Sequence, residues 1–216
     1  MTGAELNELA TQKLMEKDYA EAKRLFEEAA GAGEYLAMYN LACMYYFGDG
    51  VDPDEKTAFA WYKKAAEHGD PEAANRVAVM LTNGIGTNID EVQAFAWYTR
   101  SAEQGSLSGM ANLGLQLLEG RGCGKDMAAG LEWLNKASEG GNGIASELLG
   151  DYCLEGRYGE ADPAKAAEYY RRGMDQKYAP AVNKLAELYD RGRGVEKDPA
   201  MAAKLRDIAE NLGDDD

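Results

Sequence analysis

Only one histidine, His68, occurs in the 216 residues, and it falls in a turn. Acid–base and nucleophilic sites need matched groups within hydrogen-bond reach and a third group to orient them. No Cys/His or Ser/His pair has independent support, so the chain is expected not to be an enzyme, with no catalytic, cofactor-binding or metal residue and no cofactor. Cysteine is scarce as well. Cys43, Cys123 and Cys153 follow no regular spacing, which excludes a disulfide framework, and no C-x-x-C or Cys/His pattern suggests zinc. They read as reduced thiols. Basic residues number 23 against 38 acidic ones, a formal charge of −15 that opposes nucleic-acid phosphate and anionic membranes. No apolar run approaches the roughly 18 residues of a membrane span, and the opening has no stretch of signal-peptide length. A cytosolic location without membrane insertion is the expectation.

What is present is a repeat. Sliding the chain on itself gives an offset of 36 residues, and residues 35–214 divide into five units, 35–70, 71–106, 107–142, 143–178 and 179–214, without a gap. An aspartate recurs at one place in each: Asp54, Asp90, Asp126, Asp162 and Asp198. Asp accepts hydrogen bonds from the free amides of a first helical turn, and Pro163 and Pro199 add proline where a missing amide does no harm. Asp18 sits one period earlier and opens the same kind of helix.

After each Asp runs a one-faced pattern, clearest in Ala58, Trp61, Tyr62, Ala65 and Ala66, which defines a helix B. Gly69, Gly105, Gly141 and Gly213 are expected to close it in left-handed conformation. Each unit begins with a helix A, where Ala37, Leu41, Ala42 and Tyr45 recur as Ala73, Val77, Ala78 and Leu81. Alternating small and large residues suit antiparallel hairpins stacked in a row. In the first unit A is expected near 36–47 and B near 55–68.

Between the helices lie glycine pairs, Gly48/Gly50, Gly84/Gly86, Gly120/Gly122 and Gly192/Gly194, with Gly156 and Tyr158 in the fourth copy. No strand precedes them, so they read as turn glycines and not as phosphate loops. Asp49, Asp52 and Asp54 lack the 12-residue calcium-loop spacing. Trp61, Trp97 and Trp133 share one register on the apolar face and are expected to be core spacers.

The phrases GDGVDPD and AFAWYKKAAEHG, repeated with variation in five copies, resemble the Sel-1-like repeat (SLR), a relative of the tetratricopeptide repeat. Residues 1–34 look more like a plain tetratricopeptide hairpin acting as an N-terminal cap, because Ala10 to Ala22 spans 12 residues where Ala42 to Ala58 spans 16. The resemblance implies an all-α, right-handed superhelical solenoid of about six hairpins, twelve antiparallel helices in all. It also implies a non-catalytic scaffold or adaptor that holds a peptide or partner protein in a concave groove lined by the A helices. The alternative is a cell-envelope or glycan-associated module. A protein or peptide partner, no nucleic acid and a monomeric chain are expected.

Carried onto this sequence, the groove positions are Leu36, Tyr39, Asn40, Cys43 and Tyr46, then Asn75, Arg76 and Val79, then Asn112 and Leu115, then Glu147 and Asp151, and finally Asn183 and Lys184. Charge counting makes this surface apolar and weakly basic near Tyr39 and Arg76. It becomes acidic where Glu119, Glu147, Asp151, Glu155, Glu187 and Asp190 fall. A ligand with a carboxylate or apolar part at one end and a Lys/Arg-rich part at the other is the expectation. Arg206 and Glu210, standing where Tyr62 and Ala66 stand in the first unit, suggest a polar capping helix before the acidic tail 214–216, and hence a natural end of the array.

Overall fold

The structure, a computed structural model, describes residues 1–213; the acidic tail lies outside the described residues. Twelve α-helices and no strand occur among them. They pair into six hairpins of one A and one B helix: α1 (Gly3–Met15) with α2 (Tyr19–Gly31), α3 (Tyr35–Phe47) with α4 (Glu55–Glu67), and α5 (Pro71–Asn83) with α6 (Glu91–Glu103). Then follow α7 (Leu107–Glu119) with α8 (Met127–Gly140), α9 (Gly143–Glu155) with α10 (Pro163–Asp175), and α11 (Ala179–Arg191) with α12 (Pro199–Gly213). The first expected pair of helices is met to within one residue at each end.

The chain resolves into two compact units, residues 1–109 with 121–123, and residues 110–120 with the chain from 124 onward. In the first, consecutive helices from α1 to α6 pack on one another; in the second, α8 to α12 do so, and the A helices α9 and α11 also touch.

The recurrent aspartates do what their spacing requires. Asp54 accepts from the Lys56 and Thr57 amides at 3.1 Å, Asp90 from Gln93 at 2.9 Å, Asp126 from Ala129 at 3.0 Å, Asp162 from Lys165 at 2.9 Å and Asp198 from Met201 at 2.9 Å. Each also ties its loop down with its own amide, which donates to a carbonyl late in the preceding A helix: Tyr45, Leu81, Leu117, Cys153 and Tyr189, all at 2.8 to 3.0 Å. In the first hairpin, where the inserted loop is missing, the Asp18 amide reaches Lys13 instead.

The glycines divide into two kinds. Gly69, Gly105 and Gly141 have positive φ just beyond a B helix, as expected, whereas Gly213 is the last helical residue of α12 and makes no left-handed cap. The same position after α10 is Lys177, held at φ 58°, where an L side chain is strained. In the loops, Gly86 (φ 63°) lies so close to the first turn of α4 that a Cβ would stand 2.2 Å from the Glu55 carbonyl oxygen. Here glycine is required for space as well as for conformation.

The tryptophans occupy a different place from the one their register suggests. Tyr62, Tyr98, Leu134 and Tyr170, the residues one position later, are the buried ones, at 0 to 3% exposure. Trp61, Trp97 and Trp133 are only half-buried. A cation three residues on lies over each ring: Lys64 Nζ at 4.0 Å, Arg100 at 5.2 Å and Lys136 Nζ at 4.5 Å, with Arg172 at 5.5 Å from Tyr169 in the fourth copy. Both residues fall within the wide apolar arc of the helix, so periodicity alone cannot say which enters the core. In the last repeat the register shifts: Leu205 is buried and Arg206 turns outward to Asp190.

One buried polar network interrupts the apolar core of the second unit. Ser138 Oγ and Ser146 Oγ lie 2.8 Å apart, Ser146 Oγ donates to Gln176 Oε1 at 2.8 Å, and Gln176 Nε2 donates to the Ser138 carbonyl at 2.6 Å. Arg172 Nη1 adds a bond to Ser138 Oγ at 3.0 Å. Such a network specifies one pairing of helices only while every member is satisfied.

Chemical denaturation checks two outcomes. Tyr98→Ala should destabilise by about 3 to 5 kcal/mol and Trp97→Ala by only about 1 to 2 kcal/mol, reversing the order that side-chain size gives. Gly86→Ala should lose about 3 kcal/mol or more, while Lys177→Gly should gain up to about 1 kcal/mol.

Candidate functional site

In the first unit the A helices bring several of the expected positions together. Asn40 Nδ2 of α3 donates to Asn7 Oδ1 of α1 at 3.0 Å, so part of its hydrogen-bonding capacity is already used. Tyr39 packs edge-on against Tyr62 with ring centroids 5.3 Å apart, and the Cys43 thiol lies 3.3 Å from the Tyr62 hydroxyl. Burial pushes the Cys43 thiol and the Tyr62 phenol above their ordinary values, so both are neutral at pH 7. Leu36 is exposed at 46%; Asn75, by contrast, is buried at 7% and does not present its amide to solvent.

Arg76 is the centre of this cluster. Burial of part of the side chain works against its charge, yet the Tyr39 hydroxyl beside it holds the guanidinium above its usual pKa. Tyr39, Tyr62 and Cys43 are its neighbours, and among the described residues it is in no ion pair. A shallow hollow runs on from it, lined by Tyr46, Phe47, Tyr62, Val79 and Ile85. Tyr46 and Phe47 meet edge-on at 5.1 Å, and Phe47 is 65% exposed. Tyr62 and Ile85 were absent from the expected set. Ile85 stands between two turn glycines, where an apolar side chain is itself a signal.

In the second unit Asn112 is half-buried, Leu115 packs against the core and Asn183 is exposed. The acidic surface expected there is largely neutralised from within. Asp151 accepts from the Tyr170 hydroxyl at 2.6 Å and pairs with Lys184 Nζ at 3.2 Å. Asp190 is paired with Arg206, and Glu155 with Arg157 at 3.1 Å. Glu147 and Glu187 are in no ion pair among the described residues. Burial, then repulsion from Asp151, raises the Glu147 carboxyl above its ordinary value, with Lys184 opposing. Charge counting missed the pairings of Asp151 and Asp190 because the partners lie in neighbouring helices: Lys184 is 33 positions from Asp151, three short of the repeat.

The hairpin geometry, the capped B helices and the glycine loops together define a helical repeat protein. The Sel1 repeat family matches residues 10–34, 36–70, 71–106, 107–142, 144–178 and 179–214, and the chain belongs to that family. The first of these segments takes in most of the short starter hairpin. Sel1 repeat proteins are generally non-catalytic scaffolds, of a fold that typically mediates protein–protein interaction.

Among solved structures, a protective antigen of uropathogenic Escherichia coli with an SLR fold is 31% identical, with a TM-score of 0.85 over 98% of this chain and 46% of that one. A Sel1 repeat protein from Oxalobacter formigenes is 26% identical, with a TM-score of 0.87 over 98% of this chain and 62% of that one. This chain thus spans about half to three fifths of their length. An immunity protein from Pseudomonas aeruginosa, 22% identical with a TM-score of 0.63 over 94% of this chain and 80% of that one, shares the fold. No curated protein sequence matches the chain.

Glu147 supplies a test of the second unit's electrostatics. Because its folded-state pKa is raised above the ordinary 4.5, the folded chain binds this proton more tightly than the unfolded chain does. Ionised Glu147 therefore opposes folding at neutral pH, and the penalty fades as pH falls through the folded-state pKa. Glu147→Gln should be more stable than the parent at pH 7, and urea titrations at lower pH should show that advantage shrinking toward pH 4.5.

Proposed function

We propose that this protein is a non-catalytic adaptor whose first unit binds a segment of a partner protein along the A helices α3 and α5. The observation that carries the reading is Arg76, a guanidinium beside Tyr39 that is in no ion pair among the described residues and borders exposed aromatic surface. A partner carboxylate would complete an ion pair there without displacing one already made. An apolar side chain next to that carboxylate would cover Phe47 and Tyr46. Aromatic residues and arginine are the anchors on which interfaces most often depend.

The second unit fits a smaller role in charge recognition than its acidic composition suggests, since Asp151, Asp190 and Glu155 are already paired. A Lys/Arg-rich segment would find Glu147 and Glu187. The three half-buried cysteines, none of them joined in a disulfide among the described residues, suit a reducing compartment, and we propose the cytosol on that ground.

The experiment is selection of displayed random peptides on the whole protein, with Arg76→Glu as the comparison. The selected sequences should share an Asp, Glu or terminal carboxylate beside a Phe, Leu or similar residue. Their affinity should fall about tenfold or more on Arg76→Glu, the range of a charge-assisted contact. Selected peptides without a carboxylate, or with affinity unmoved by Arg76→Glu, would refute the reading.

A further inference from the structure

The fourth repeat breaks a rule that the other loops keep. Gly50, Gly86, Gly122 and Gly194 occupy one loop position, all at positive φ. Each lies against the first turn of the preceding B helix, so closely that a Cβ would come within 2.0 to 2.2 Å of it. In the fourth repeat that residue is Tyr158, which is not in the left-handed region. Its ring turns against Tyr152, edge-on with centroids 5.0 Å apart. Beside it opens a cleft of about 260 Å³ between the loop and helices α8, α9 and α10.

Size narrows what can enter. A cavity of about 150 Å³ admits a benzene ring, and sites for drug-sized ligands start near 300 Å³. The cleft therefore has room for one ring and a short polar head, but not for a nucleotide. Its apolar wall is Leu131, Leu149, Tyr152, Tyr158 and the ring of Tyr169. Most of its polar wall is already satisfied: the Tyr169 hydroxyl donates to Asn135 Oδ1 at 2.9 Å, and Asn135 Nδ2 donates to the Leu131 carbonyl at 2.8 Å. The Asp162 carboxylate caps α10.

Two lining groups are left, and they carry opposite charges. Glu160 and Lys165 are both exposed on the rim, and neither is in an ion pair among the described residues. We infer that this cleft binds a free amino acid with an aromatic or large apolar side chain. The ring fills the apolar wall, the ammonium meets Glu160 and the carboxylate meets Lys165. A side chain from the middle of a partner's sequence fits less well, because its own backbone brings neither charge to the rim. A singly charged ligand would use only one of the two groups.

The test is calorimetric titration of the whole protein with L-phenylalanine and, in parallel, with N-acetyl-L-phenylalaninamide, which keeps the ring and removes both charges. Phenylalanine should bind one to one and saturably, and the blocked compound about tenfold or more weaker. Tyr158→Gly restores the glycine of the other loops, so it should fold, close the cleft and abolish binding. Cys153 lines the cleft and reports on it directly. Its alkylation by iodoacetamide, followed by peptide mass spectrometry, should slow in proportion to occupancy, while that of Cys123 does not. Arg76→Glu, in the first unit, should leave all of this unchanged. Absence of saturable binding by phenylalanine, leucine and tryptophan would overturn the inference, and so would binding that survives Tyr158→Gly. Equal affinity for the blocked compound would overturn it in favour of an anchor pocket for a partner's aromatic side chain.

Discussion

One aspartate per repeat holds the loop between its two helices. Its carboxylate receives the free amides at the start of helix B, and its own amide closes the loop onto the end of helix A. A helix of 13 residues is near the lower limit at which a helix persists alone in water, so its end groups must be satisfied and its apolar side covered before it is stable. The aspartate meets the first need and, by fixing the loop, directs the helix to a neighbour that meets the second. The turn glycines serve the same end, permitting left-handed backbone that a side chain adopts only under strain.

That is why so much of the fold can be read from the chain. Capping and left-handed turns depend on a few adjacent residues, so they leave their mark at a fixed place in each period. What escapes is whatever depends on a second helix. Trp97 and Tyr98 are neighbours on one apolar arc, and only the packed partner decides that the tyrosine goes in. Asp151 is an acid by composition but half of an ion pair by structure, because Lys184 comes from the next hairpin. Asn40 meets Asn7 at the same separation of 33 positions, so a search at that offset would have recovered both pairs. Asn75 gives no such sign, since its neighbours in sequence do not reveal that its side of the helix is covered.

The two recognition surfaces argued above arise from opposite departures from the repeat. On the first, an arginine stands in a register that elsewhere holds asparagine, leucine or lysine, and it is in no ion pair among the described residues. On the second, a tyrosine stands where the other loops have glycine, and its ring turns against Tyr152 beside a cleft. In a repeat protein the shared residues maintain the stack, so individuality is concentrated where one copy differs from the others.

The serine–glutamine–arginine network of the second unit also bears on how such an array can change over generations. Repeats of equal length invite recombination, since exchanging one for another keeps the period. Here the exchange is not neutral. The hairpin that carries Ser146, Arg172 and Gln176 needs a hydroxyl from the hairpin before it, and the positions equivalent to Ser138 in the first two repeats are Ala66 and Ala102. Placed after either of those, Ser146 and Arg172 would lose a partner in a buried setting. The network thus acts as a key that fits one neighbour, and it couples the third repeat to the fourth.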